Sequence, residues 1–182
     1  MNNDAALLHI AIAGPFACFR RPEFSHNLIS YDVMPPLVAR RILQTLLPSH
    51  DHLLQLRRLQ VLRPIKAEWQ RVVTKRGPSQ ALVLVDVAYV LECAWLGVAA
   101  ERVRLTETLD HGAGAHLGLP TMTASVSLLS SLDIPQADRD RVQDLGWLPL
   151  LPASPGQAGV TYMRALMRAG VIDLTGDLIT AR

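Results

Sequence analysis

The sequence predicts an α+β fold with the strand and helix order of a ferredoxin-like domain, on three observations. A short apolar strand ends at Gly14-Pro15, an amphipathic helix follows the Pro35-Pro36 pair, and a long apolar run fills the middle of the chain. With 182 residues, 49% hydrophobic and 19% charged, the chain is sized for one domain or a core domain with a small appendage. The expected division is a ferredoxin-like domain over residues 1–120 and a β-rich closing segment over 121–182 packed on it.

Taken in order, LLHIAIAG (7–14) reads as a buried strand terminated by the Gly-Pro breaker. Residues 15–34 lack a period but gather Phe16, Phe19, Phe24 and Tyr31 with Arg20, Arg21 and His26 into one loop-like stretch. Ala39, Ile42, Leu43, Leu46 and Leu47 then recur at helical spacing, with Arg40, Arg41 and Gln44 off the apolar stripe and Pro48 as the stop. Residues 53–63 alternate as a strand. Residues 65–76 form a second strand with Ile65, Ala67, Trp69, Arg71 and Val73 on one face, which makes 57–76 a basic hairpin. After the turn signal Gly77-Pro78-Ser79, Leu82 to Leu96 is apolar almost throughout, as a central strand should be. A helix over 99–109, a Gly-rich loop over 111–118 and a strand over 121–129 complete the split βαβ order. Residues 133–143 form a polar connector, and GWLPLL and TYMRALMRAGVIDL supply closing strands.

Charge is uneven. Residues 20–76 carry eleven basic and four acidic side chains, whereas 105–182 carry five basic and eight acidic ones. A basic first half beside an acidic second half points to a polyanion-facing surface on the first part. Sixteen of the eighteen basic residues are Arg, the type that forks onto phosphate and stacks on bases. Asp86 and Glu92 interrupt the longest apolar run, and no basic stretch precedes the first. A membrane span and a signal peptide are therefore not expected, and the chain reads as cytoplasmic. Cys18 and Cys93 lie in apolar segments and read as reduced core thiols.

One block is specific enough to compare with a family. In GPFACFRRPEFSHNLISYDVMPPLVARRILQTL (14–46), Gly14, Ala17, Phe19, Arg21, Pro22, Glu23, Ser30, Tyr31, Asp32, Val33, Ala39, Arg40 and Ile42 fit a Gly-x-Tyr-Ala-x-Phe-x-Arg-Pro-Glu stretch. That stretch leads into Ser-Tyr-Asp-Val and a helix with an Ala-Arg pair; Phe16 replaces the usual Tyr. The block resembles the opening motif of the CRISPR-associated RAMP proteins of the fifth Cas family, in the subtype I-C (Dvulg) form, and the present chain is short for that branch. VLRPIK, DVAYVLECAW, LGLPTMTASVSL, DLGW and YMRALMRAGVIDL continue the likeness in patches. The resemblance implies an RRM-related ferredoxin-like fold with a protruding hairpin. Its implied partners are the 5′ handle of a guide RNA and the backbone and large subunits of a CRISPR effector complex.

On that reading Phe16, Phe19, Arg20, Arg21 and Tyr31 lie near the handle, and Arg40, Arg41, Arg58, Lys66, Lys75 and Arg76 contact phosphates. Phe16, Phe19 and Tyr31 equally suit a plug beneath a long loop. Some members of the I-C branch resemble metal-free acid–base ribonucleases that use a Tyr after the first helix and a Lys-His pair at the second. Here the Tyr position falls at or beside Leu47. The Lys-His pair falls on Ala115-His116, or near Gly97-Val98. The expected role is therefore a binder without cleavage activity. An endoribonuclease using His50, His52 or His116, and a scaffold bridging complex subunits, remain as alternatives. His50-x-His52 lacks a third ligand, so no metal is expected. No P-loop, dinucleotide glycine motif or nucleophile elbow is present, so neither a cofactor nor a small-molecule ligand is expected.

Overall fold

In the computed structural model, which describes residues 6–24, 27–46, 53–74, 77–110, 113–130, 142–152, 159–175 and 179–181, one long strand organises the rest. β5 (Gly77–Trp95) runs nineteen residues, long enough for two successive neighbours along one flank. There its first part pairs with β4 (Ala67–Thr74), from Thr74 opposite Gly77 to Ala67 opposite Leu84. Its second part pairs with β3 (Leu54–Val61), from Val61 opposite Tyr89 to Leu54 opposite Trp95. On the other flank β1 (Leu7–Ala17) runs antiparallel from Leu7 opposite Ala94 to Ala17 opposite Leu84. Where β1 ends, β2 (Leu28–Ile29) takes over in parallel against Ala81 and Leu82.

Outside β1 lie β7 (Thr123–Leu129) and then β6 (Ala113–His116). Outside β3 lie β10 (Val171–Asp173), β9 (Val160–Arg168) and β11 (Thr180–Ala181), with β8 (Val142–Pro152) on β9. The sheet order is β11-β9-β10-β3-β5-β1-β7-β6, almost wholly antiparallel and continuous across residue 120. The helices are α1 (Pro36–Leu46) and α2 (Ala99–Asp110). Among the described residues no helix is long and apolar enough to cross a membrane.

Period-two alternation builds the core. Ile172, Leu59, Leu91 and Ile10 stand opposite one another across β10, β3, β5 and β1, and all four are fully buried. Each such aliphatic side chain stabilises by about 2 kcal/mol. α1 opens at the Pro pair, with the Pro35 carbonyl accepting from the Val38 and Ala39 amides, and buries Leu37, Ala39, Ile42 and Leu43. Both cysteines are free and buried, and burial pushes the Cys93 thiol up to about 12.

Several expectations need correction. β1 does not stop at Gly14-Pro15. Proline cannot donate to a ladder, but Asp86 across from it adopts φ 53°, the 15/86 pair is skipped, and pairing resumes at Phe16 opposite Val85. The hairpin is not 57–76 but β4 with the first part of β5, because the β3 stretch pairs further along β5. Within β4 the face of Ala67, Trp69, Arg71 and Val73 is the outer one, and Val72 on the other face is the residue that buries. The Gly-rich segment after α2 forms β6, since its ladder to β7 needs only backbone groups. Arg40 is not an outward residue. It is half-buried, its Nε has no hydrogen-bond partner among the described residues, and burial lowers its affinity for the proton, opposed by nearby Cys93.

Candidate nucleic-acid interface

Between β1 and α1 the chain makes a stalk and a tip rather than an open loop. The Tyr31 amide donates to the Phe19 carbonyl at 2.8 Å, the Arg21 amide to the Ile29 carbonyl at 2.8 Å, and Arg20 bridges to Ser30. Ser30 locks this stalk: its hydroxyl accepts from the Phe19 amide at 3.0 Å and donates to its own neighbour's carbonyl on Tyr31 at 2.8 Å. The Ser30 amide in turn donates to the Leu82 carbonyl of β5, which fixes the stalk to the sheet.

Behind the stalk, the Cys18 amide donates to the Leu117 carbonyl at 2.8 Å. The next residue, Gly118, has φ +99°, and a Cβ there would lie 1.8 Å from the Cys18 carbonyl oxygen. Only glycine permits that approach.

The expected site residues separate into interior and surface groups. Phe19 and Tyr31 are each 2% exposed, so neither ring offers a face to a base. Phe19 packs edge-on against Tyr89 at 6.3 Å, while burial, then Glu23 and Tyr162, push the Tyr31 phenol up to about 12 against the opposing Arg21. Arg21 lies 4.8 Å from the Tyr31 ring centroid, its Nε donates to the Ser30 carbonyl at 3.2 Å, and Nη2 lies 3.4 Å from Asp32. Its guanidinium is engaged in holding the stalk. Phe16, Arg20 and Phe24 face solvent.

Lys66 joins this surface from the far side of β5. Its carbonyl accepts from the Val85 amide, and Val85 stands opposite Phe16, so Phe16 and Lys66 flank one β5 residue. Three residues on, Trp69 stands opposite Leu82, which pairs with Ile29 on its other side; Trp69 is 58% exposed and Arg71 is exposed. The strip across β1, β5 and β4 is about three strands, or about 10 Å, wide, and because Val85 and Leu82 are three residues apart it carries Phe16 and Lys66 on one face and Trp69 and Arg71 on the other, with Arg20 exposed beside it. A recess beside Asp32, Arg63 and Lys66 holds about 10 Å³, room for about one water and not for a base. Alternation in the sequence puts Trp69 and Arg71 on one face of β4 but does not say which face is exposed, so neither stands out as a contact.

The other expected residues lie apart. Arg41 is exposed on α1, and Arg40 is half-buried beneath it. Arg58 belongs to a row across four strands. Asp173, Arg58, Glu92 and His9 stand opposite one another on β10, β3, β5 and β1. Arg58 is 3.4 Å from both Asp173 and Glu92, and the other Glu92 oxygen is 3.6 Å from His9 Nε2. Arg63 pairs with Asp86. His116 is exposed on β6. His50, His52, Lys75 and Arg76 lie outside the described residues. Among the described residues, no group of three His, Cys, Asp or Glu side chains is placed to hold a metal ion.

No protein-family model matches the chain. It is 33% identical over 101 residues to a CRISPR pre-crRNA endoribonuclease Cas5d of Thermus thermophilus, a stretch covering 48% of this chain and 44% of that protein. The chain thus matches under half the length of that relative. A Cas5d of the same description from Mannheimia succiniciproducens is 26% identical over an alignment of 215 positions, covering 92% of this chain and 94% of the relative. A crystal structure of a CRISPR-associated protein superposes with a TM-score of 0.79 at 18% identity, covering 98% and 97% of the two chains. A functionally uncharacterized Streptococcus mutans protein, SMU1763c, superposes at 0.70 with 16% identity, covering 98% of each. The last two share the fold.

Proposed function

Starting from a place in the Cas5 family, which these relatives support, we propose that the chain is an RNA-binding subunit of a CRISPR effector complex that grips the 5′ handle of the guide RNA. One observation carries the reading: the strip around β5 presents an exposed ring with an exposed cation on each face, Phe16 with Lys66 on one and Trp69 with Arg71 on the other, with Arg20 exposed beside it. Single-stranded RNA is held by phosphate contacts and by bases stacked on rings, and the strip offers both. In this reading Phe16 and Trp69 stack, while Arg20, Lys66 and Arg71 contact phosphates. Lys75, Arg76 and Arg41 extend the cationic reach. Arg21, Phe19 and Tyr31 hold the stalk in place rather than touching RNA.

We infer further that the core is ferredoxin-like. The order β3-β5-β1-β7, with α1 between β1 and β3 and α2 between β5 and β7, supports that assignment. The opening motif supports subtype I-C. The backbone and large subunits of the complex are the proposed protein partners.

The reading is of a binder. At the positions where the resemblance implies a Tyr and a Lys-His pair, the chain has Leu47 and either Ala115-His116 or Gly97-Val98. The relatives' designation as pre-crRNA endoribonucleases favours a second reading, metal-free cleavage of repeat RNA with His50, His52 or His116 carrying protons. Incubation of labelled repeat RNA with the protein in EDTA decides between them. The first reading expects RNA bound and intact. A discrete cut lost on His116→Ala, or on His50→Ala, would establish the second.

A further inference from the structure

Along β4 one edge of the sheet is open. Ala67 stands opposite Leu84, which places Lys66 opposite Val85, and the Val85 amide donates to the Lys66 carbonyl. Opposed pairs in an antiparallel ladder are alternately bonded and unbonded. The backbone groups of Glu68, Gln70 and Val72 therefore turn towards β5, and those of Ala67, Trp69, Arg71 and Val73 turn away from it. Among the described residues no strand pairs with that second set. A free edge is a template for another chain unless something blunts it. β8 is broken by register shifts and carries Pro149, and β6 is only four residues long. β4 runs eight residues with neither bulge nor proline. Trp69, Arg71 and Val73 stand beside its free groups, all exposed and on one face.

We propose that a second copy of the chain occupies this edge, its β4 antiparallel to the first about a two-fold axis through Gln70. A two-fold axis normal to a sheet keeps each face on its own side, so a residue opposes only one an even number of positions away. An axis at Arg71 sets that guanidinium against its own copy, an unfavourable pairing of like charges, and leaves Ala67 without an opposite in β4. An axis at Trp69 leaves Val73 without one. The axis at Gln70 uses every free residue. Ala67 then opposes Val73 of the second copy and Trp69 opposes its Arg71, each arrangement occurring twice, with about eight backbone hydrogen bonds closed. Opposed side chains lie about 5 Å apart at Cβ, which lets the guanidinium cover the indole face. The pairing does not rest on the RNA reading. Since Trp69 and Arg71 serve both, the two occupants exclude each other: the dimer is the RNA-free form, and handle RNA draws it into monomers.

Sedimentation equilibrium of the full chain without RNA should show reversible dimerisation, with a Kd of about 10–100 μM for so small an interface. Trp69→Ala removes the ring from both Trp–Arg pairs and should weaken the dimer at least tenfold. Disulfide formation under mild oxidation reads the register. Gln70 meets its own copy at about 4.5 Å between Cα atoms, within disulfide reach, whereas Glu68 lies about 14 Å from its own copy. Gln70→Cys should therefore give a covalent dimer and Glu68→Cys none, the native cysteines being buried. A chain that stays monomeric up to about 1 mM, or Glu68→Cys cross-linking as readily as Gln70→Cys, overturns the proposal. Handle RNA titrated into the dimer should yield complexes holding one chain each, and a dimer that persists with RNA bound overturns the exclusion. RNA bound by a chain that never dimerises removes the pairing and leaves the function standing. Dimerisation as described with no RNA bound removes the function and leaves the pairing.

Discussion

Replacing Gly118 by alanine tests how the lead-in stalk is held. Two costs combine at this position. A side chain at φ +99° is strained by about 1–3 kcal/mol. The new Cβ would also sit 1.8 Å from the Cys18 carbonyl oxygen, which is backbone and must move by more than 1 Å to reach ordinary contact. That movement breaks the adjacent hydrogen bond from the Cys18 amide to the Leu117 carbonyl, worth about 1 kcal/mol. The total is about 2–4 kcal/mol, or about 4–16 °C in melting temperature for a domain of this size. Gly77→Ala is the internal control. Its φ of +107° gives comparable strain, but among the described residues beyond its chain neighbours no atom lies within 4 Å of the added Cβ, so only about the strain is lost. Thermal unfolding by circular dichroism compares the two. A melting temperature for Gly118→Ala equal to that of Gly77→Ala would refute the close approach of Leu117–Gly118 to Cys18.

Three further outcomes follow from the geometry. Arg21→Ala removes the donation to Ser30, the Asp32 pair and the contact with the Tyr31 ring, and is expected to cost about 1–2 kcal/mol in urea unfolding; no loss of stability contradicts its positioning role. Trp69→Ala leaves stability within about 0.5 kcal/mol, since the ring is mostly exposed, but weakens handle RNA by about 1–3 kcal/mol if bases stack there; equal binding measured by fluorescence anisotropy contradicts that role. The Asp173 carboxyl is held below its ordinary range, first by the Thr175 hydroxyl and amide and then by Arg58. A folded pKa below the unfolded one gives stability that is present above about pH 4 and lost as pH falls through the folded value. Asp173→Asn should thus be less stable than wild type at pH 7, with the gap closing towards about pH 3. A gap that widens on acidification contradicts the assignment.

How much of this was legible in the sequence depended on what each segment needs. β1, α1, β5 and β7 announce themselves because apolar period or apolar length is a local property, as in Ile10 and Ile12 or in Ala39, Ile42 and Leu43, and α2 does so by its helix-forming composition. Pairing is not local. Nothing in residues 54–74 states that β3 and β4 share one flank of the same long strand, so the hairpin is misplaced and the exposed face of β4 is left unassigned when read from sequence alone. Gly14-Pro15 reads as a stop because the compensating φ at Asp86 lies 71 positions away. The basic, aromatic stretch before α1 stands out clearly, but its division into buried Phe19 and Tyr31 and exposed Phe16 and Arg20 follows from the Ser30-locked stalk, which composition does not encode. The row from Asp173 to His9 joins residues 164 positions apart and emerges only from strand register.

The most direct measurement is the affinity of handle RNA for the double variant Arg20→Ala/Lys66→Ala across a salt series. Both side chains are exposed, so the fold should survive the change. The account predicts binding at least tenfold weaker than wild type, with a salt slope shallower by about the two lost phosphate contacts. Affinity and salt slope equal to wild type would contradict the claim that the strip around β5 carries the RNA.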